Sequence, residues 1–289
     1  MSEISCASIE TADERSAEEV AEAKEALLAS DRGEFVDAVR SGKLISSKCA
    51  IGLGDVSEDI RDAALSVGRA ALSEVSDKEG VGRACVEALS TYLTGQGACE
   101  PTSHSEDHTH GGILAFYGHA AQLFEDDEGK VRAMTNMVAA LKNVRDAGAF
   151  IGARALGNLA MDSKDAAIAM VGDLQTKALT FDDPRERRAA AAGIAGICKG
   201  VGITALAHLR IVDGIKRAIA DKKDHDARAG ALAMYAHMCR TAGRGFEPYA
   251  VGLAPEVFAL MGDRDADVRE SAHLAQASVV KALPLTAMK

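Results

Sequence analysis

The residues best equipped for chemistry are the histidines of His104-Ser105-Glu106-Asp107-His108-Thr109-His110, with Cys99 and His119 close by in the chain. Closely spaced imidazoles and a thiol could hold zinc, which takes such ligands in tetrahedral sets. No C-x-x-C element accompanies them, and the run is polar enough to read as a solvated loop over residues 96 to 112, with no i,i+4 histidine pair on a helix. No metal and no other cofactor is therefore expected. Nucleotide chemistry is no better supported, since neither Gly42-Lys43 nor Gly129-Lys130 is followed by the Ser or Thr of a phosphate-binding loop. Neither a G-x-S-x-G nor an H-E-x-x-H sequence occurs, so no catalytic residue is assigned and the chain reads as a non-enzyme. Gly193, Gly196, Gly200 and Gly202 could suggest a phosphate cradle. They lie on or at the end of an alanine-rich helical stretch with no strand before it, where glycine serves close packing.

A second group of candidates is cationic. Lys216, Arg217, Lys222 and Lys223 crowd a helix end and the following turn with few acidic neighbours. They suit either a solvated face or a partner-binding site.

The elements that position these residues are set by a repeat. In DDPRERRAAAAGIAGICKGVG, DKKDHDARAGALAMYAHMCR and GDRDADVRESAHLAQASVVK an acidic turn precedes an arginine, and alanine-rich helical sequence follows. Arg188, Arg228 and Arg269 recur at intervals of 40 and 41 residues. Periods of about 40 to 47 belong to HEAT and armadillo arrays, whose helix pairs cannot bury their apolar stripes alone. Ala190, Ile194, Ile197 and Val201 supply one such stripe, and Val268, Ala272, Ala275 and Val279 another. The expected fold is all-α: an α-α superhelix, a HEAT/armadillo-like solenoid of antiparallel helix pairs. In such arrays the phased arginine bonds an aspartate of the adjacent turn, so Arg61, Arg132, Arg188, Arg228 and Arg269 are expected to form a structural ladder.

The stretches ERRAAAAGIAGICKGVGI (186 to 203), IADKKDHDARAGALAM (219 to 234), RGFEPYAVGLAPEVF (244 to 258) and GDRDADVRESA (262 to 272) carry a more specific likeness. The segment from Arg185 onward resembles the HEAT region shared by translation elongation factor three and the general-control activator that works with the kinase of initiation factor two. Glycine-spaced KGVGI, the DKK turn with GAL, and FEPY followed by Pro255 carry the detail. The activator's arginine run before GAL is thinned here to Asp226-Ala227-Arg228. The resemblance implies a ribosome or a translation-linked kinase as partner.

Composition agrees with a solenoid. Hydrophobic residues make up 47% of the 289-residue chain, only 4% of residues are aromatic, and there is no Trp. Stacked helices approach closely where side chains are small, and alanine favours helix. No apolar run approaches the ~18 residues of a membrane span. The start lacks a secretory signal, and six cysteines without C-x-x-C pairing read as reduced core residues of a cytoplasmic protein. Residues 1 to 100 hold 20 Asp and Glu against 10 Lys and Arg, while residues 185 to 240 hold 11 Lys and Arg against 5 acids. That local excess suits rRNA phosphate contacts through one face, and neither a membrane nor a small-molecule substrate.

Residues 1 to 50 are expected as an acidic segment with one or two helices, disordered over the first fourteen. Residues 51 to 289 are expected as the array, most regular from 182 onward. Helices are expected over 15 to 30, 34 to 40, from 55 to about 76 and 81 to 93, then 113 to 124, 131 to 141, 147 to 160 and 164 to 179. Asp183-Pro184 marks a helix start, and Pro255 a kink. The function expected is a non-catalytic HEAT scaffold of translation. The alternatives are the HEAT part of an elongation-factor-three-like ATPase, a generic adaptor, or a HEAT-like lyase.

Overall fold

The computed structural model describes residues 15 to 95 and 99 to 282. The first fourteen residues, expected as disordered, lie outside them. Fifteen α-helices follow one another among the described residues, and no strand occurs. They are α1 (Ala17–Leu28), α2 (Arg32–Arg40), α3 (Lys48–Gly52), α4 (Glu58–Glu74), α5 (Lys78–Thr94), α6 (His104–Ala121), α7 (Asp127–Ala140), α8 (Asp146–Asp162), α9 (Lys164–Thr180), α10 (Pro184–Val201), α11 (Ala205–His208), α12 (Ile211–Ala220), α13 (His225–Ala242), α14 (Glu247–Ala259) and α15 (Ala266–Ala282).

The helices form two layers. In one, α4, α6, α8, α10, α13 and α15 lie side by side in that order; in the other, α5, α7, α9, α12 and α14 cover the seams. This is the solenoid that the repeat requires. Both stripes read from the sequence face the core: Ile194 and Ile197 are buried, as are Val268, Ala272, Ala275 and Val279. Helix α10 is buried on all sides from Ala189 to Cys198 because α8, α9 and α13 surround it. At the other end, Leu27, Phe35 and Val39 of α1 and α2 join the same core against α4 and α5.

Small residues set the spacing of the first layer. A methyl group on Gly157 would lie 2.6 Å from the Gly196 carbonyl oxygen, and one on Gly200 would collide with the Gly157 carbonyl, so α8 and α10 cross backbone to backbone. The α10 glycines serve packing, and Gly202, at φ +108°, ends the helix. Asp183 caps α10 by accepting the Arg185 N–H, with Pro184 in the first turn. Helix α14 runs through Pro255. The N–H that proline lacks would have donated to the Val251 carbonyl, and Val251 is exposed.

One boundary differs markedly from expectation. The segment read as a loop up to Gly112 is helical from His104, and residues 96 to 98 lie outside the described residues. Ser103 accepts the Glu106 N–H, and Glu106 reaches back to the backbone and hydroxyl of Thr102. Such a cap favours helix over loop although the sequence is polar.

Candidate partner-binding surfaces

In α4, α10, α13 and α15 the fourth helical residue is an arginine that reaches back to the preceding turn. In α4 it is Arg61, whose guanidinium donates to the carbonyls of Asp55 and Val56 at 2.7 and 2.6 Å. In α15 it is Arg269, on the carbonyls of Asp263 and Arg264, both at 2.8 Å. Arg228 of α13 donates to the Asp221 carbonyl at 2.6 Å and spans to the next turn, with its Nε 3.0 Å from Asp263 Oδ2. In α10 the position falls to Arg187, not to the expected Arg188. Arg187 is buried, donates to the Phe181 carbonyl at 2.6 Å and pairs with Asp226 at 2.7 Å. Arg188, one residue on, is exposed and makes no hydrogen bond to the turn carbonyls. Arg132 is also out of place: it lies on α7 in the other layer, exposed, beside Arg83 and Asn136 in a shallow cleft. The turn carbonyls are the main acceptors throughout, and an aspartate of the next repeat joins at Arg187 and Arg228.

In α6 the same position is held by Asp107, which sequence reasoning passed over. This buried carboxylate accepts the backbone N–H groups of Arg145, Ala147 and Gly148 at 2.6, 3.1 and 2.9 Å, so it caps α8 from the neighbouring helix. The fourth-residue register, 46 residues after Arg61, was the signal available in the sequence.

The histidines do not converge. His104 is exposed and His108 half-buried on the groove side of α6, whereas His110 is buried, its Nδ1 3.3 Å from the Asn143 carbonyl and its ring edge-on to Tyr92. His104 and His108 do make an i,i+4 pair on a helix, contrary to the loop reading. Among the described residues no three His, Cys, Asp or Glu side chains gather as a metal site would need. Burial pushes the thiols of Cys49, Cys198 and Cys239 up to about 12, which keeps them protonated and unreactive.

Lys216, Arg217, Lys222 and Lys223 are all exposed, at the end of α12 and in the turn to α13. The acids around them are engaged elsewhere. Asp221 accepts the Lys223 N–H, Asp224 accepts that of Ala227, and Asp226 pairs with Arg187. Among the described residues none of the four cations joins an ion pair, while Asp221 and Asp224 cap the backbone and keep their charge beside them.

A separate groove of about 950 Å³ runs along the first layer. The N-terminal turns of α4, α6, α8 and α10 form one wall, and α13 with α15 the other. His237 of α13 lies in its floor, 9% exposed. Burial, with the charge of Arg240 and more weakly that of Arg188, pushes its pKa down to about 4 against the opposing pull of Asp146. The unfolded chain, with an ordinary imidazole near 6.5, therefore takes up this proton first as pH falls. Stability should drop between about pH 6.5 and 4, by about 3 kcal/mol from this residue. Thermal melts across that window check it: the drop should be smaller in His237→Gln, with His108 and His119, also held down by burial, supplying what remains.

The family described as the EF3 N-terminal HEAT repeat matches residues 187–289, which span α12, the basic turn and the two best-formed rungs of the ladder. The last third is thus similar to a HEAT array of this kind. The human protein named "Stalled ribosome sensor GCN1" is 28% identical over 248 residues, 86% of this chain and 9% of its own length. The Dictyostelium discoideum protein named "eIF-2-alpha kinase activator GCN1" is 41% identical over 86 residues, 30% of this chain and 3% of its own. "Protein ILITYHIA" of Arabidopsis thaliana is 29% identical over 182 residues, 62% of this chain and 7% of its own. The HEAT array thus spans less than a tenth of the length of these relatives. No helix among its described residues is long and apolar enough to cross a membrane.

Proposed function

We propose that this HEAT array is a non-catalytic scaffold of the translation machinery, working in the cytoplasm and docking on the ribosome through the turn of Lys216, Arg217, Lys222 and Lys223. One observation carries the reading: four exposed cations, none of them in an ion pair among the described residues, sit inside the segment that matches the EF3 N-terminal HEAT repeat. Two relatives are named for stalled ribosomes and for activation of a kinase, and the same partners are proposed here. Cations that neutralise rRNA phosphates release counterions, so binding through this turn falls steeply with salt.

The test is co-sedimentation with ribosomes across a salt series. Changing all four residues to glutamine should leave helicity intact, because none lies on the buried face of α12. It should lower the fraction pelleted and flatten the salt slope, by roughly 0.7 to 0.9 for each phosphate that is no longer neutralised. A quadruple variant that pellets like the wild type at every salt concentration rules out contact through this turn.

A further inference from the structure

The groove along the first layer is a different surface from the basic turn, and none of the turn's four cations lines it. Its chemistry is mixed in a particular way. Ala233 and Ala236 of α13 face Leu274 and Ala277 of α15, giving a shallow aliphatic wall in which Leu274 remains 48% exposed. At one place on the floor His237, nine-tenths buried, has no hydrogen-bond partner among the described residues, and the charges of Arg240 and Arg188, which line the same groove, bear on it. Arg188 is exposed and joins no ion pair among the described residues. Arg240 reaches across the groove to α8, where it donates to the Asp146 carbonyl at 2.9 Å and lies 3.6 Å from the Asp146 carboxylate. Two guanidinium groups and an imidazole thus line one part of the groove, with Asp146, 79% exposed, beside Arg240, which also lies over the Phe150 ring, and Asp183 near Arg188; together they offer charge-assisted donors to a carboxylate.

The rest of the groove decides what carries that carboxylate. Glu58, Asp267 and Glu270 also face it among Arg61, Arg145, Arg187 and Lys281, and this alternation of sign suits a polypeptide of mixed charge better than the continuous charge of a nucleic-acid backbone. An aliphatic wall likewise has nothing to offer phosphates. We infer that the concave groove docks a segment of a partner polypeptide in which an acidic side chain, seated on Arg188, His237 and Arg240, is flanked by aliphatic side chains packed against Ala233, Ala236 and Leu274. A basic residue further along the segment meets Asp267 and Glu270 at the start of α15. Binding draws Arg240 from Asp146 toward the incoming carboxylate, and so releases one of the contacts between α13 and α8, two places away in the layer.

The test uses the whole chain and a panel of short fluorescein-labelled peptides, each with one glutamate between leucines or valines and a lysine further along, beside scrambled and Glu→Gln versions. Fluorescence anisotropy should show members of the panel binding saturably, with the Gln version about tenfold weaker or more, as expected for loss of a charge-assisted pair. Arg188→Glu should weaken binding by a similar factor while leaving helicity unchanged, and a peptide with arginine in place of glutamate should recover it. Ala233→Trp, which fills the wall without changing charge, should abolish binding of every panel member. The proposal is overturned if no peptide binds better than its scramble, if binding ignores both Arg188→Glu and the peptide's Glu→Gln change, or if a short RNA displaces the peptide by occupying the groove. Ribosome pelleting by Arg188→Glu should match wild type, and the quadruple glutamine variant of the turn should keep its peptide binding. Failure at the groove and failure at the turn are thus read separately.

Discussion

Arg228→Ala should lower stability by about 3 kcal/mol or more. The guanidinium is only 7% exposed and its partner Asp263 only 13%. Truncation leaves that carboxylate without its cation, and the carbonyls of Asp221 and Asp224 lose their donor. The Asp265 N–H still reaches Asp263, which keeps the cost toward the lower end for a broken buried pair. Arg188→Ala, at an exposed position that bonds no turn, should change stability by no more than about 0.5 kcal/mol. Urea midpoints of the two variants measure the contrast. Equal losses would mean that the register of the ladder is misassigned.

Gly200→Ala carries the other large effect, and its sign is the informative part. In an open helix the change gains up to about 1 kcal/mol from propensity. At Gly200 the new methyl meets the carbonyl oxygen, carbon and Cα of Gly157, all backbone, so nothing flexible can move aside and α8 must part from α10. A net loss of about 2 kcal/mol or more is expected. Gly172, on α9, has nothing within 4 Å, and Gly172→Ala should gain the propensity term. Thermal or urea unfolding of the two alanine variants, moving in opposite directions, would confirm that glycine sets the interhelix distance. A stabilised Gly200→Ala would contradict it.

Much of the fold was legible because burial in a solenoid is periodic. Val268, Ala272, Ala275 and Val279 announce their buried face by spacing alone, and each is nearly inaccessible. The ladder was legible in kind but slipped where Arg187 and Arg188 stand together, since both satisfy an approximate period. Taking Arg187 gives steps of 41 and 41 to Arg228 and Arg269. Arg132 was drawn in by a period that had already failed around α6, where the position belongs to an aspartate. The start of α6 was missed because a polar, histidine-rich run resembles a loop, although Ser103-x-x-Glu106 is a helix-capping pattern. The groove was not legible at all. It depends on residues such as Asp146 and Arg240, 94 positions apart, and on the small side chains of α10 that let α8 and α13 approach across it.

The basic turn was legible as charge, since four cations in eight residues stand out in any sequence. That its acids are engaged was not, because capping by Asp221 and Asp224 and the pairing of Asp226 with Arg187 appear only once the turn is built. The distinction matters for function. Pairing with Arg187 offsets Asp226, whereas Asp221 and Asp224 keep their charge and temper the attraction to phosphate within the screening length of about 8 Å in physiological salt.

The most direct measurement of ribosome docking is amide hydrogen exchange of the chain with and without ribosomes, read peptide by peptide. Slowed exchange is expected across the end of α12 and the turn to α13, residues 214 to 226, lost in the quadruple glutamine variant and at high salt, with α4 to α6 unchanged. Binding accompanied by protection only elsewhere, or no ribosome-dependent change in that turn at low salt, would contradict it.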